Sequence, residues 1–119
     1  MSDTLVFGAS LNPSRYSNLA MRRLSEAGKP AAGFGPVAGT AYGIPVYDRL
    51  EDLEPADTVT LYMGPARQTE YYEAILRLAK KRVLFNPGTE NPVFADRLRQ
   101  AGIAADEACT LVLLATGTY

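Results

Sequence analysis

The sequence predicts a three-layer α/β domain, a doubly wound parallel sheet of about five strands occupying residues 1–119 as one unit. Three observations predict it. Short apolar stretches such as Leu5–Phe7 and Val83–Phe85 alternate with segments of helical periodicity, and wholly apolar strands are those buried on both faces of a parallel sheet. The chain of 119 residues is the size of one ordinary domain and contains no low-complexity tract, long linker or internal repeat. The first apolar stretch ends at Gly8 and the chain then turns polar, as strands of such sheets do where a ligand-binding turn follows.

The elements follow in order. Leu5–Phe7 is a short strand, and a helix is expected from Ser17 because Ala20, Met21, Leu24 and Ala27 recur at helical spacing. Ser17 is its expected N-cap and Gly28 its stop. Pro30–Phe34 is a weak second strand. Val37–Tyr47 reads as a loop, rich in Gly, with a short extended piece at Pro45–Tyr47. Arg49–Leu53 suggests one helical turn, and Thr58–Met63 alternates like a strand. Tyr72, Ile75, Leu76 and Ala79 mark an amphipathic helix. After the strand Val83–Phe85 and the turn Asn86-Pro87-Gly88, Phe94, Leu98 and Ala101 mark a helix ending at Gly102. Ile103–Ala105 is a last short strand. The tail CTLVLLATGTY is expected to be a helix packed on the sheet.

Composition narrows the function classes. The net charge of −1 argues against a nucleic-acid binder driven by bulk charge. No histidine is present, which removes Ser-His-Asp and Cys-His catalysis and histidine metal sites together. The single cysteine, Cys109, allows no intrachain disulfide and fits a reducing cytoplasm. Neither a signal peptide nor a membrane-spanning stretch is legible. A cytoplasmic protein without a membrane partner is the expectation.

In a doubly wound sheet, ligands sit beyond the carboxyl ends of the strands. The turns to consider are therefore Gly8–Ser17, Gly35–Gly39, Gly64–Gln68 and Asn86–Asn91. Gly8 permits close approach of a ligand to the backbone, and Ser10 offers a hydroxyl. The next helix aims its N-terminal amides at the same place, and Arg15 adds a fork of donors. A diphosphate would suit these groups. A single glycine is a weak signal, however, and a plain tight turn with a solvated Arg15 fits the spacing equally. A nicotinamide dinucleotide site further requires an acidic residue about twenty positions on, and none occurs between Glu26 and Asp48. One of Tyr62 and Met63 is expected to face a ligand at the end of their strand, the other the core. Asn86–Asn91 reads chiefly as a turn with a helix cap. Cys109 reads as a structural cysteine.

VFGASLNPSRYSN resembles the G-A-S-x-N-P-x-R-x-S signature of the small bacterial CoA-binding proteins. These are single Rossmann-like domains, similar to the CoA-binding domain of the succinyl-CoA synthetase alpha subunit. Further along, Gly43–Tyr47 with Leu50–Leu53 resembles the family's G-x-x-V-Y-x-S-L-x-D-I segment. Ala101-Gly102-Ile103 and Cys109 also match family positions. The resemblance implies that Gly8, Ala9, Ser10, Arg15 and Ser17 meet the phosphates of coenzyme A, and that Gly35 and Tyr62, Met63 and Gly64 line the nucleotide. Two segments depart from the pattern. Gly33-Phe34-Gly35-Pro36 stands where many members have V-N-P-K, and Tyr62-Met63 where many have F-R. The implied function is binding of coenzyme A or an acyl-CoA, without catalysis by this chain. The sequence allows a homodimer. A small NAD(P)- or nucleotide-dependent enzyme and a ligand-free interaction module are the competing readings.

Overall fold

The computed structural model describes residues 3–119. The elements run β1 (Thr4–Phe7), α1 (Tyr16–Glu26), β2 (Ala31–Phe34), β3 (Gly39–Ala41), β4 (Ile44–Tyr47), β5 (Ala56–Leu61), α2 (Pro65–Gln68), α3 (Tyr72–Leu78), β6 (Ala79–Phe85), α4 (Pro92–Gln100), β7 (Ala104–Glu107) and α5 (Thr110–Ala115). The expected helical turn after Arg49 is a 3-10 turn at Leu50–Asp52.

Among the described residues the sheet has seven strands, not five, in the order β3-β4-β2-β1-β5-β6-β7. All neighbours pair in parallel except β3 and β4. Without β3, the order by sequence becomes the 3-2-1-4-5-6 of doubly wound dinucleotide-binding sheets. The direction of winding reverses between β1 and β5, which are paired neighbours.

The extra strands come from the segment read as a loop. β3 and β4 form an antiparallel hairpin with Ala41 opposite Ile44. Its two-residue turn is Tyr42-Gly43, both with positive φ, the mirror-image turn that matches strand twist. Tyr42 is the only non-glycine with positive φ among the described residues. Its strain is offset by contacts to α1: its hydroxyl donates to Asn18 Oδ1, and its carbonyl accepts from the Ser25 hydroxyl at 2.8 Å.

Alternation along β1 sends Leu5 and Phe7 to one layer and Val6 to the other. The first layer is closed by Ile75 and Leu78 of α3 and by Phe94 and Leu98 of α4. The second is closed by Met21 and Leu24 of α1, with Leu114 of α5 packed against it. The crossover from β4 to β5 carries no long helix, and Leu50 and Leu53 join the first layer instead.

The tail helix is held by polar contacts. Thr60 Oγ1 and Thr110 Oγ1 lie 2.8 Å apart. Asn86 Nδ2 donates to Thr60 Oγ1 at 2.6 Å, and Asn86 Oδ1 accepts from the Thr110 amide at 2.9 Å. Beyond the helix the Tyr119 hydroxyl bonds Thr4, and the Arg82 guanidinium lies 4.7 Å from the Tyr119 ring centre.

Element ends differ from expectation by one to four residues, most at the start of β6, which begins at Ala79 rather than Val83. α1 starts at Tyr16 with Arg15 as N-cap, so Ser17 lies in its first turn and is not the cap. Ala79 begins β6 rather than ending α3. β5 starts at Ala56 and stops at Leu61, leaving Tyr62 and Met63 beyond the sheet. Among the described residues no helix is long and apolar enough to cross a membrane.

Candidate functional site

A cleft of about 530 Å³ opens over the carboxyl ends of β1, β2, β4 and β5, within the usual size of a small-molecule site. Its floor is the turn after β1. The amides of Gly8 and Ala9 both donate to the Phe34 carbonyl, at 2.9 and 2.8 Å, so the turn bends onto β2. Gly8 has φ +100°, and a Cβ there would lie 2.9 Å from the Tyr62 carbonyl carbon. Glycine is thus required by backbone angle and by the close approach of β5. Gly35 is required by contact: a Cβ would lie 2.0 Å from the Ala9 carbonyl oxygen.

The turn is braced internally. Ser10 Oγ accepts from the Asn12 amide at 3.1 Å, and Asn12 Oδ1 accepts from the amide of Ser14 at 3.0 Å. Asn18, buried in α1, donates to the Ser10 carbonyl at 2.9 Å. Helix α1 then begins without any side-chain cap. Its first amides have no intrahelical acceptor and carry the positive end of the helix dipole.

The structure brings the nine sequence-derived positions together around this cleft: Gly8, Ala9 and Ser10 on the floor, Arg15 and Ser17 at the start of α1, Gly35 after β2, and Tyr62, Met63 and Gly64 after β5. Tyr62 and Met63, of which one is expected to face a ligand and the other the core, both hold lining positions. Met63 is buried in the α3/α4 layer and Tyr62 packs into the α1/α5 layer, yet both edge the opening because both lie beyond the end of β5. The Tyr62 hydroxyl is buried without a hydrogen-bond partner. Desolvation pushes its pKa up to about 12, against smaller opposing effects of the Thr110 and Thr60 hydroxyls, which bond each other.

Other lining residues were not legible as such. Arg67 sits in α2, which starts with Pro65 at its first position after Gly64. The signal was present: a glycine, a helix start and an arginine, as at Gly8 and Arg15. Neither arginine is engaged in an ion pair among the described residues, whereas Arg22, Arg23, Arg49, Arg97 and Arg99 are. Asp48 lines the cleft directly after β4, one residue beyond the extended piece expected at Pro45–Tyr47 and outside the turns considered for a ligand. Tyr71 packs edge-on against Phe7 and Phe34 and reaches the cleft wall.

The turn after β6 serves two ends. Asn91 caps α4 by accepting from the Phe94 amide at 3.1 Å, as expected, while Pro87, Gly88 and Thr89 line the cleft. Gln68, fully buried, fastens this turn to the one after β5. Its Nε2 donates to the carbonyls of Met63 at 2.9 Å and Thr89 at 2.8 Å, and its Oε1 accepts from Asn91 at 3.0 Å. Cys109 is half-buried at the start of α5 and is not part of the lining. Among the described residues no group of three or more acidic or cysteine side chains could hold a metal.

Residues 2–115 match the family model described as a CoA binding domain. The chain belongs to this CoA-binding family. Solved structures of the fold include an uncharacterized protein 40% identical, with a TM-score of 0.92, where the match covers 100% of this chain and 98% of the other. A protein from Thermus thermophilus, cell-free ID.343, is 24% identical with a TM-score of 0.86, covering 99% and 91%. A hypothetical protein from Pyrococcus horikoshii OT3 is 25% identical with a TM-score of 0.82, covering 93% and 80%. A comparison with curated proteins returns no match. Arg67 stands four positions after Met63, within α2.

Proposed function

We propose that the chain binds coenzyme A or a close derivative in the cleft where the strand order reverses, and that it does so as a binding protein without a reaction of its own. The observation that carries this reading is the convergence of a tight glycine turn, an uncapped helix start and two unpaired arginines on one opening. A diphosphate can accept hydrogen bonds from the first amides of α1 and from the two guanidinium groups, while the glycine turn, whose Gly8 and Ala9 amides are committed to the Phe34 carbonyl, lets it approach closely. The pantetheine arm would lie along the apolar wall of Met63 and Tyr71. The lining offers phosphate ligands rather than a nucleophile beside a base.

Isothermal titration calorimetry tests the reading. Arg15→Ala is expected to weaken binding of coenzyme A by about 1–3 kcal/mol, the scale of a charged hydrogen bond. Unchanged affinity would remove Arg15 from the site. Thermal stabilisation by NADP with no response to any CoA compound would overturn the reading in favour of a dinucleotide enzyme.

A further inference from the structure

The cleft is electrically polarised. Arg15 and Arg67 stand after β1 and β5, at the reversal point. Asp48 stands on the other side. It follows Tyr47, which pairs with Phe34 and accepts from the Gly35 amide at 3.0 Å. That places it beyond β2, two strand spacings or about 10 Å from the Gly8 turn. The end of β2 itself, Gly33 to Pro36, contributes no charge. Asp48 is thus the only charged lining residue at that end. Arg49 does not reverse the sign: its Nε lies 3.1 Å from Glu51 Oε2, and Glu51, Asp52 and Asp48 all act on its charge. Three acids there face one arginine.

With the diphosphate at the arginines and the pantetheine arm on the Met63 and Tyr71 wall, as in the reading above, the side of the cleft by β2 and β4 is left for the adenosine. A ribose with free hydroxyls can donate them to the Asp48 carboxylate, the contact that an acidic residue nearer the first turn makes in dinucleotide sheets, here offered one strand further out. A phosphate ester at the same place brings close to two negative charges and no donor. It would meet the Asp48 carboxylate, with the neighbouring Arg49 already engaged by Glu51.

We infer that Asp48 makes this cleft selective for adenosine diphosphate compounds whose ribose is not phosphorylated, so that its preferred CoA-class ligand is dephospho-CoA. The inference rests on the CoA-type reading of the site given above. Calorimetry with coenzyme A and dephospho-CoA tests it on the unaltered chain. Dephospho-CoA is expected to bind about tenfold more tightly, the scale of one solvent-exposed carboxylate acting on a doubly charged phosphate. Asp48→Asn should shrink the preference, and Asp48→Lys should turn it towards coenzyme A. Asp48 is exposed, so these variants leave the core untouched. Equal or tighter binding of coenzyme A by the unaltered chain, or a preference unmoved by Asp48→Asn, would overturn the inference and leave the CoA-type site standing. Binding of neither compound would overturn the site reading and the inference together.

Discussion

At Gly35 a methyl group has nowhere to go, because the atom facing it is the Ala9 carbonyl oxygen and not the end of a flexible side chain. Gly35→Ala should therefore push the β1 turn off β2 and cost about 1–3 kcal/mol, the usual penalty of overpacking. Gly64→Ala is the natural control, since a Cβ there meets nothing within 4 Å and no positive φ is involved. Urea denaturation of both variants checks the contrast, and equal stabilities would refute it. At this scale the sequence was partly legible. Gly8 announced itself by ending an apolar strand. The reason for Gly35 was hidden, because it lies in the contact between two strand ends far apart in sequence. Asp48 was hidden for a related reason. Pro45, which cannot donate to a sheet ladder, and the exposed Gly39–Ala41 strand masked the hairpin whose end carries it.

Two elements around the cleft depend on one side chain. Gln68 joins the turn after β5 to the turn after β6. Gln68→Leu keeps the volume but leaves two buried carbonyls without that donor. It is expected to cost about 2–3 kcal/mol and to speed amide exchange in the Gly88–Asn91 turn. Hydrogen exchange that stays unchanged there would show that the clamp is unimportant. Periodicity revealed the helices well, since α1, α3 and α4 each bury a stripe such as Ala20, Met21 and Leu24. It revealed Gln68 not at all. A glutamine that is 0% exposed looks, in sequence, like any polar residue on a helix start. The tail was correctly expected to be helical, but its apolar residues do not explain why it docks. Its attachment runs through Thr60, Asn86 and Thr110, a set of polar partners that no one-dimensional pattern links.

For the molecule as a whole, the buried tyrosines set a limit in alkali. Tyr62 is pushed to about 12, and Tyr119 is raised as well, chiefly by desolvation. Each holds its proton more firmly when folded, so the unfolded chain releases protons first as pH rises. The associated stability is complete below the ordinary tyrosine value of about 10 and is lost as pH climbs through the folded values. Denaturation curves taken between about pH 10 and about pH 12 should show a decline, and Tyr62→Phe should flatten part of it. A decline identical in that variant would exonerate Tyr62. The alternation of strand and helix made the layered architecture legible at this scale, whereas the strand count was not, because the hairpin edge is short and partly exposed. That same hairpin has a consequence for how such a protein changes over time. Tyr42 holds Asn18, and Asn18 holds the Ser10 carbonyl, so the shape of the turn after β1 is maintained from behind. The side chains that face the opening, Arg15, Asp48 and Arg67, are exposed and belong to none of these bonds. They are free to drift. Substitutions at these three exposed positions change the charge of the opening while leaving the bonded scaffold behind the turn in place.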